Sequence, residues 1–128
     1  MNYQQPFSTA YFPPMPVMDA WIAAPADQNW VGPFTAIIDT GADFTLVPIS
    51  WLLPLNPPVV RPAILSSQWQ EEHSVYVYEI DPRLGDLILP AVDVAGDPFS
   101  KEVLLGRNVL NQLDIRLQGP AYITHLLV

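Results

Sequence analysis

A single aspartate followed by a small hydroxyl residue and a glycine is the clearest chemical feature of the sequence. Asp39 ends the apolar run 34–38 and is followed by Thr40 and Gly41. A strand of this kind places the carboxylate at its buried end, and Gly41 lets the turn close and bring a backbone N–H near that carboxylate. A carboxylate held in this way is rigid and partly desolvated, as acid–base chemistry requires. The alternative is an ordinary aspartate-initiated turn, and the tripeptide alone leaves both open.

A second informative segment lies at 103–113, with the sequence VLLGRNVLNQL. Apolar residues recur at helical spacing after Gly106, which predicts a strand, a sharp junction and a short helix over 107–113. By itself this segment is an ordinary strand-to-helix junction in which Arg107 is a solvated charge.

In this order, the two segments resemble the motifs of the retropepsins, the single-domain retroviral-type aspartic proteases. The resemblance is anchored at 34–48 and 103–113 and is one of pattern only between them. It implies a mostly β fold, a small closed β-barrel of the acid-protease type with one short C-terminal helix, active as a two-fold homodimer. It also implies that Asp39 is catalytic.

The resemblance assigns roles to the other residues of the two motifs. Thr40 would bond across the dimer axis to the partner's loop, although a local turn hydroxyl is the alternative. Asp43 would bind substrate N–H groups while forming a buried ion pair with Arg107. The full set of supporting and substrate-binding residues is Thr40, Gly41, Ala42, Asp43, Gly106, Arg107 and Asn108.

The number of catalytic motifs determines the assembly. Peptide hydrolysis by this chemistry needs two carboxylates that share one proton, because like charges so close together cannot both ionise. The sequence holds one Asp-Thr-Gly and no second Asp-Thr/Ser-Gly, which excludes a two-lobed enzyme in one chain. The active unit must therefore be a homodimer in which each subunit supplies Asp39, and an extended peptide is the expected substrate.

The resemblance also implies a hairpin that covers the substrate, and the candidate for it is the stretch 63–80. Two β-favouring arms flank a polar centre, and the flap candidates at its tip are Ser67, Gln68, Trp69 and Gln70. This tip departs from the glycine-rich viral flap, because it contains no glycine and is followed by two adjacent acids.

The sequence also departs from the viral pattern at the N-terminus. No arginine occurs before Arg61, so an N-terminal ion pair of the viral dimers is missing. The N-terminal arm and the apolar tail 121–128 are expected to supply an intersubunit sheet instead, because an exposed apolar edge strand seeks a partner.

Composition limits the remaining possibilities. The chain has 128 residues, of which 50% are hydrophobic and 15 are prolines, which predicts one domain of short elements. We expect an extended arm over 1–15 and a single domain over 16–128. Strands are predicted at 17–24, 30–38, 45–47, 59–65, 74–80, 87–94, 102–105 and 121–127, with a helical turn at 49–53.

Charge and cysteine content exclude several function classes. The net charge of −8 argues against nucleic acid as a partner. With no cysteine and two histidines, neither a thiolate nucleophile nor a His-rich metal site is expected, and no cofactor is implied. Prolines interrupt every long apolar run, so we expect neither a membrane span nor a signal peptide, and a cytoplasmic location is the default.

Two other functions stay open at this stage. The missing flap glycines and N-terminal arginine favour a non-catalytic retropepsin-like module that binds peptides or dimerises. A plain β-barrel ligand binder with an accidental Asp-Thr-Gly is the third possibility.

Overall fold

Short apolar segments bounded by proline, glycine and aspartate become strands, as expected for β-branched and aromatic residues on pleated surfaces. The computed structural model describes residues 2–66 and 71–128. Its strands are β1 (Tyr3–Pro6), β2 (Val17–Ala23), β3 (Val31–Ile38), β4 (Leu46–Pro48), β5 (Val59–Ser66), β6 (Glu72–Leu84), β7 (Leu87–Ile88), β8 (Val92–Asp97), β9 (Val103–Leu105), β10 (Asp114–Gln118) and β11 (Ile123–Leu127).

The larger sheet closes into a barrel. Its strand order is β2-β3-β9-β4-β8-β6, and β6 pairs again with β2, while β5 extends the sheet beyond β6 and β7 pairs with β6. The inward side chains form one apolar core that includes Ile22, Leu52, Ile80 and Leu105, each at most 2% exposed. The predicted mostly β fold with a closed barrel is confirmed.

Two short α-helices interrupt the strands within residues 2–66 and 71–128. Helix α1 (Ile49–Leu52) continues into a 3₁₀ turn over Leu53–Leu55, close to the predicted turn at 49–53. Helix α2 (Arg107–Leu110) is shorter than the predicted 107–113. Its last bonds, from the amides of Gln112 and Leu113, reach back three residues, so the chain tightens into a 3₁₀-type turn and leaves the helix. No helix in the described ranges is long and apolar enough to cross a membrane.

The second sheet has the order β1-β11-β10 and packs against the barrel. Neither β1 nor β10 was predicted as a strand. The apolar tail is not the edge strand that its composition suggested: β11 lies in the centre, where Leu126 pairs with Tyr3 on one side and Ile115 on the other. The edges of this sheet are β1 and β10. The boundary between arm and domain near residue 15 stays a prediction.

Candidate active site

Parallel pairing of β3 with β9 brings the two sequence motifs together. Ile38 aligns with Leu105, and the backbone N–H of Asp39 donates to the carbonyl of Leu105 at 3.1 Å. The residue after each strand therefore belongs to the same small region of the molecule. The aspartate loop and the start of α2 are neighbours because a strand pairing forces them together.

The loop after β3 turns tightly around the Asp39 carboxylate. The backbone N–H of Gly41 donates to Asp39 Oδ1 at 2.9 Å, and the N–H of Ala42 donates to the Asp39 carbonyl at 3.2 Å. A Cβ at position 41 would lie 3.2 Å from Asp39 Oδ1, a tight contact for a side chain. The half-buried carboxylate is thus held in one orientation by a bond that an ordinary aspartate-initiated turn also makes, while Thr40 is exposed beside it.

Arg107 ties this loop to α2 from the other side. Its guanidinium donates to the carbonyl of Thr40 at 2.9 Å and forms a short ion pair with Asp43, while its backbone N–H donates to the carbonyl of Ala42 at 2.9 Å. The pairing is the one that the motifs implied. The pair is not buried in the single chain, because the Arg107 and Asp43 side chains are 44% and 89% exposed. Solvent weakens such a pair, so its main effect is to orient the loop.

Asn108 links the start of α2 to Thr45, which follows the aspartate loop, and to β8. Its Oδ1 accepts from the Thr45 backbone N–H at 2.9 Å and from the Thr45 hydroxyl at 2.8 Å, and its Nδ2 donates to the carbonyl of Asp93 at 2.8 Å. The hydroxyl oxygen of Thr45 in turn accepts a hydrogen bond from the backbone N–H of Gly106 at 3.0 Å. Thr45 is 2% exposed, so these bonds satisfy polar groups that water does not reach.

Thr45 is the functional-site residue that sequence reasoning missed. It lies in an apolar run as one more β-favouring residue, and only the fold shows that its hydroxyl links the two motifs. Gly106 has a clearer requirement: a Cβ there would lie 2.5 Å from the backbone carbonyl of Phe44. The two chain segments cross so closely at Gly106 that no side chain fits.

A groove runs from the Asp39 loop along β5. Its first part is lined by Gly41, Asp43, Phe44 and Ile64, and Leu46, Leu65 and Ser66 continue it toward Phe99. One wall is the aspartate loop and the other is strand β5.

The two arms predicted for the covering hairpin do pair with each other. β5 and β6 run antiparallel, with Ala63 opposite Val75 and Ser66 opposite Glu72. The tip candidates Ser67, Gln68, Trp69 and Gln70 lie outside the described residues. At the base of this tip, the His73 ring packs on Phe99 with centroids 4.4 Å apart, beside the groove.

Solved structures with a similar fold are retropepsin-like aspartic proteases. A retropepsin-like aspartic protease from Rickettsia conorii superposes with a TM-score of 0.67 at 10% identity, covering 98% of this chain and 90% of that one. The simian foamy virus (mac) protease gives a TM-score of 0.52 at 19% identity, covering 75% and 92%. The retroviral protease-like domain of Ddi1 from Leishmania major gives 0.52 at 14% identity, covering 83% and 82%.

These likenesses establish the fold. The chain has the retropepsin-like fold, and its Asp-Thr-Gly loop stands after β3, beside the start of α2. Identities this low show a shared architecture and not a shared activity. No family model and no curated protein matches the sequence itself.

Proposed function

We propose that this chain is one subunit of a homodimeric aspartic endopeptidase in which the two Asp39 carboxylates activate water. The observation that carries the proposal is the position of Asp39: in a chain with the retropepsin-like fold, its carboxylate is oriented by the Gly41 N–H. The ion pair between Arg107 and Asp43 and the adjoining groove agree with that use of the loop.

The proposed reaction uses the two carboxylates in different protonation states. The ionised Asp39 of one subunit removes a proton from water as its oxygen attacks the peptide carbonyl carbon. The protonated Asp39 of the other subunit donates its proton to the carbonyl oxygen. When the tetrahedral intermediate collapses, the C–N bond breaks and the leaving nitrogen takes the proton that the first Asp39 removed from water. A hydroxyl of the intermediate gives its proton to the other Asp39, which restores the singly protonated pair. The pair titrates as a unit, so its apparent pKa values belong to both residues.

The residues around Asp39 have supporting roles in this proposal. Thr40 is exposed next to the carboxylate, where its hydroxyl reaches a second subunit on the dimer axis. Ala42 is small enough to leave room for the substrate backbone in the groove, and the Asp43 carboxylate accepts hydrogen bonds from the backbone N–H groups of an extended substrate. The hairpin of β5 and β6 covers that substrate and excludes water.

The direct test is cleavage of an unstructured protein by the purified dimer between about pH 3 and pH 7, the range in which carboxyl groups titrate. Asp39→Asn keeps the size of the side chain and removes its acid–base chemistry, so it should abolish cleavage. The matched control is Asp27→Asn in an exposed loop, which changes the charge equally and should cleave normally. Equal cleavage by wild type and Asp39→Asn would sink the proposal.

The absence of glycine at the hairpin tip favours a second candidate, a peptide-binding module without catalysis. Under this alternative, wild type and Asp39→Asn retain the same peptide intact and with equal affinity. Mass spectrometry of the bound peptide after prolonged incubation separates the two functions, because only an enzyme releases fragments.

A further inference from the structure

The edge of the three-stranded sheet beside Thr40 has no partner strand in the described part of the chain. β10 pairs with β11 on one side only. Leu113, Ile115 and Leu117 line a hollow that also includes Thr40, and Leu117 is 45% exposed. An open edge with apolar side chains along it readily pairs with another strand.

The other edge of this sheet, β1, is bonded to the barrel. β1 is tied to the barrel by two side chains: the Tyr3 hydroxyl donates to Asp86 at 2.6 Å, and the Gln5 amide donates to Asp19 at 3.0 Å. β10 is the edge strand whose residues share a hollow with Thr40. A dimer axis that passes near the aspartate loop therefore meets β10.

We infer that β10 pairs antiparallel with β10 of a second copy of this chain, about a two-fold axis at Ile115, and that Asp114 and Arg116 select this register. The inference rests on the proposed function, because only a two-fold dimer brings two Asp39 side chains together. It adds to that function the surface and the charges that would hold the second subunit.

Symmetry leaves few registers for such a pair. Side chains directly opposite each other point to the same face, and successive residues alternate between faces. A two-fold axis perpendicular to the sheet must therefore pass through a residue position. Centring the axis on Asp114 places that carboxylate opposite its own copy, and centring it on Arg116 does the same for the guanidinium. Both registers oppose like charges, which destabilises a strand pair.

Centring the axis on Ile115 gives complementary contacts on both faces. Asp114 then lies opposite the partner's Arg116, and the same pair occurs twice by symmetry. On the other face, Leu113 lies opposite the partner's Leu117. In the described parts of the chain neither Asp114 nor Arg116 forms an ion pair, and both are exposed. The neighbour of Arg116 on β11 is His125, which bonds to Gln118.

Single cysteines test the register directly, because the sequence contains none of its own. In the Asp39→Asn background, Ile115→Cys should form a disulfide-linked dimer on oxidation, since opposite Cβ atoms lie about 5 Å apart. Leu113→Cys and Leu117→Cys should not crosslink alone, because each would be roughly 13 Å from its own copy. Mixing those two proteins should give a crosslinked heterodimer.

Charge exchange tests whether Asp114 and Arg116 select the register, and it leaves the core unaltered because both side chains are exposed. Asp114→Arg puts two arginines opposite each other and should weaken the dimer by about tenfold, because two attractive pairs become repulsive. Adding Arg116→Asp exchanges the charges and should restore the dissociation constant to within about threefold. The control Asp27→Arg makes the same change in net charge at an exposed loop far along the chain.

The control separates local pairing from general repulsion. Asp114→Arg reduces the magnitude of the negative charge on each copy, so general repulsion predicts a tighter dimer where the ion pair predicts a weaker one. Sedimentation of the Asp39→Asn variants measures assembly alone. A dimer unaffected by charge exchange, a dimer without the Ile115→Cys crosslink, or a monomer at all concentrations overturns this interface. If these variants assemble as expected and the chain with Asp39 intact cleaves no protein, only the proposed function is overturned.

Discussion

Asn108 should be the residue whose loss most weakens the link between the two motifs. Asn108→Ala removes the acceptor of the Thr45 N–H and hydroxyl and the donor to the Asp93 carbonyl. An unsatisfied buried polar group costs about 1–3 kcal/mol, and the two Thr45 donors are the buried ones here. Allowing for rotation of the hydroxyl, the loss is about 3 kcal/mol, equivalent to a fall of roughly 10 °C in melting temperature.

The measurement is urea unfolding followed by the fluorescence of the four tryptophans, in the Asp39→Asn background, which removes the proposed protease activity. Asn111→Ala is the matched control, since Asn111 is exposed just beyond α2 and its side chain forms no hydrogen bond within the described ranges. Asn108→Asp keeps the acceptors but turns an oxygen toward the Asp93 carbonyl, so it should lose at least half as much. If Asn108→Ala matched Asn111→Ala within about 1 kcal/mol, the network would not carry the stability assigned to it.

Three further substitutions have expected effects. Gly106→Ala should destabilise the fold by more than about 3 kcal/mol, because its Cβ meets backbone at 2.5 Å, whereas Gly119→Ala, with open space around it, should unfold like wild type in the same urea titration. Arg107→Lys should leave the melting temperature within a few degrees but reduce kcat about tenfold in a peptide assay, because an ammonium cannot span both guanidinium contacts; unchanged kcat would show that the loop needs no such clamp. The hydrogen bond to Asp86 raises the pKa of the Tyr3 hydroxyl above its ordinary value of 10.0. This bond therefore stabilises the folded state fully below pH 10.0, and its contribution is lost as the pH rises through the pKa of folded Tyr3. Tyr3→Phe should therefore flatten the alkaline limb of a stability–pH profile, and an unaltered limb would contradict this.

The sequence alone supported the fold class and the centre of the site. Apolar runs of strand length between prolines and glycines predicted a mostly β chain, and the strand ending at Asp39 predicted a carboxylate fixed by a local N–H. Both inferences depend on neighbouring residues, whose effects are visible in a linear sequence. The hydrogen bond from the Gly41 N–H to the Asp39 carboxylate joins residues only two positions apart, so it is such a local effect.

Tertiary structure decided what depends on contacts between distant segments. The parallel register of β3 with β9 sets Asp39 beside Arg107, and it also makes Thr45 a link between the motifs although nothing local marks that residue. The same holds for β10, a short mixed strand that forms because β11 gives it a partner, and for the tail that lies inside its sheet rather than at an edge. Local preference determines which segments can be strands, but pairing energy over long separations determines which of their edges remain open.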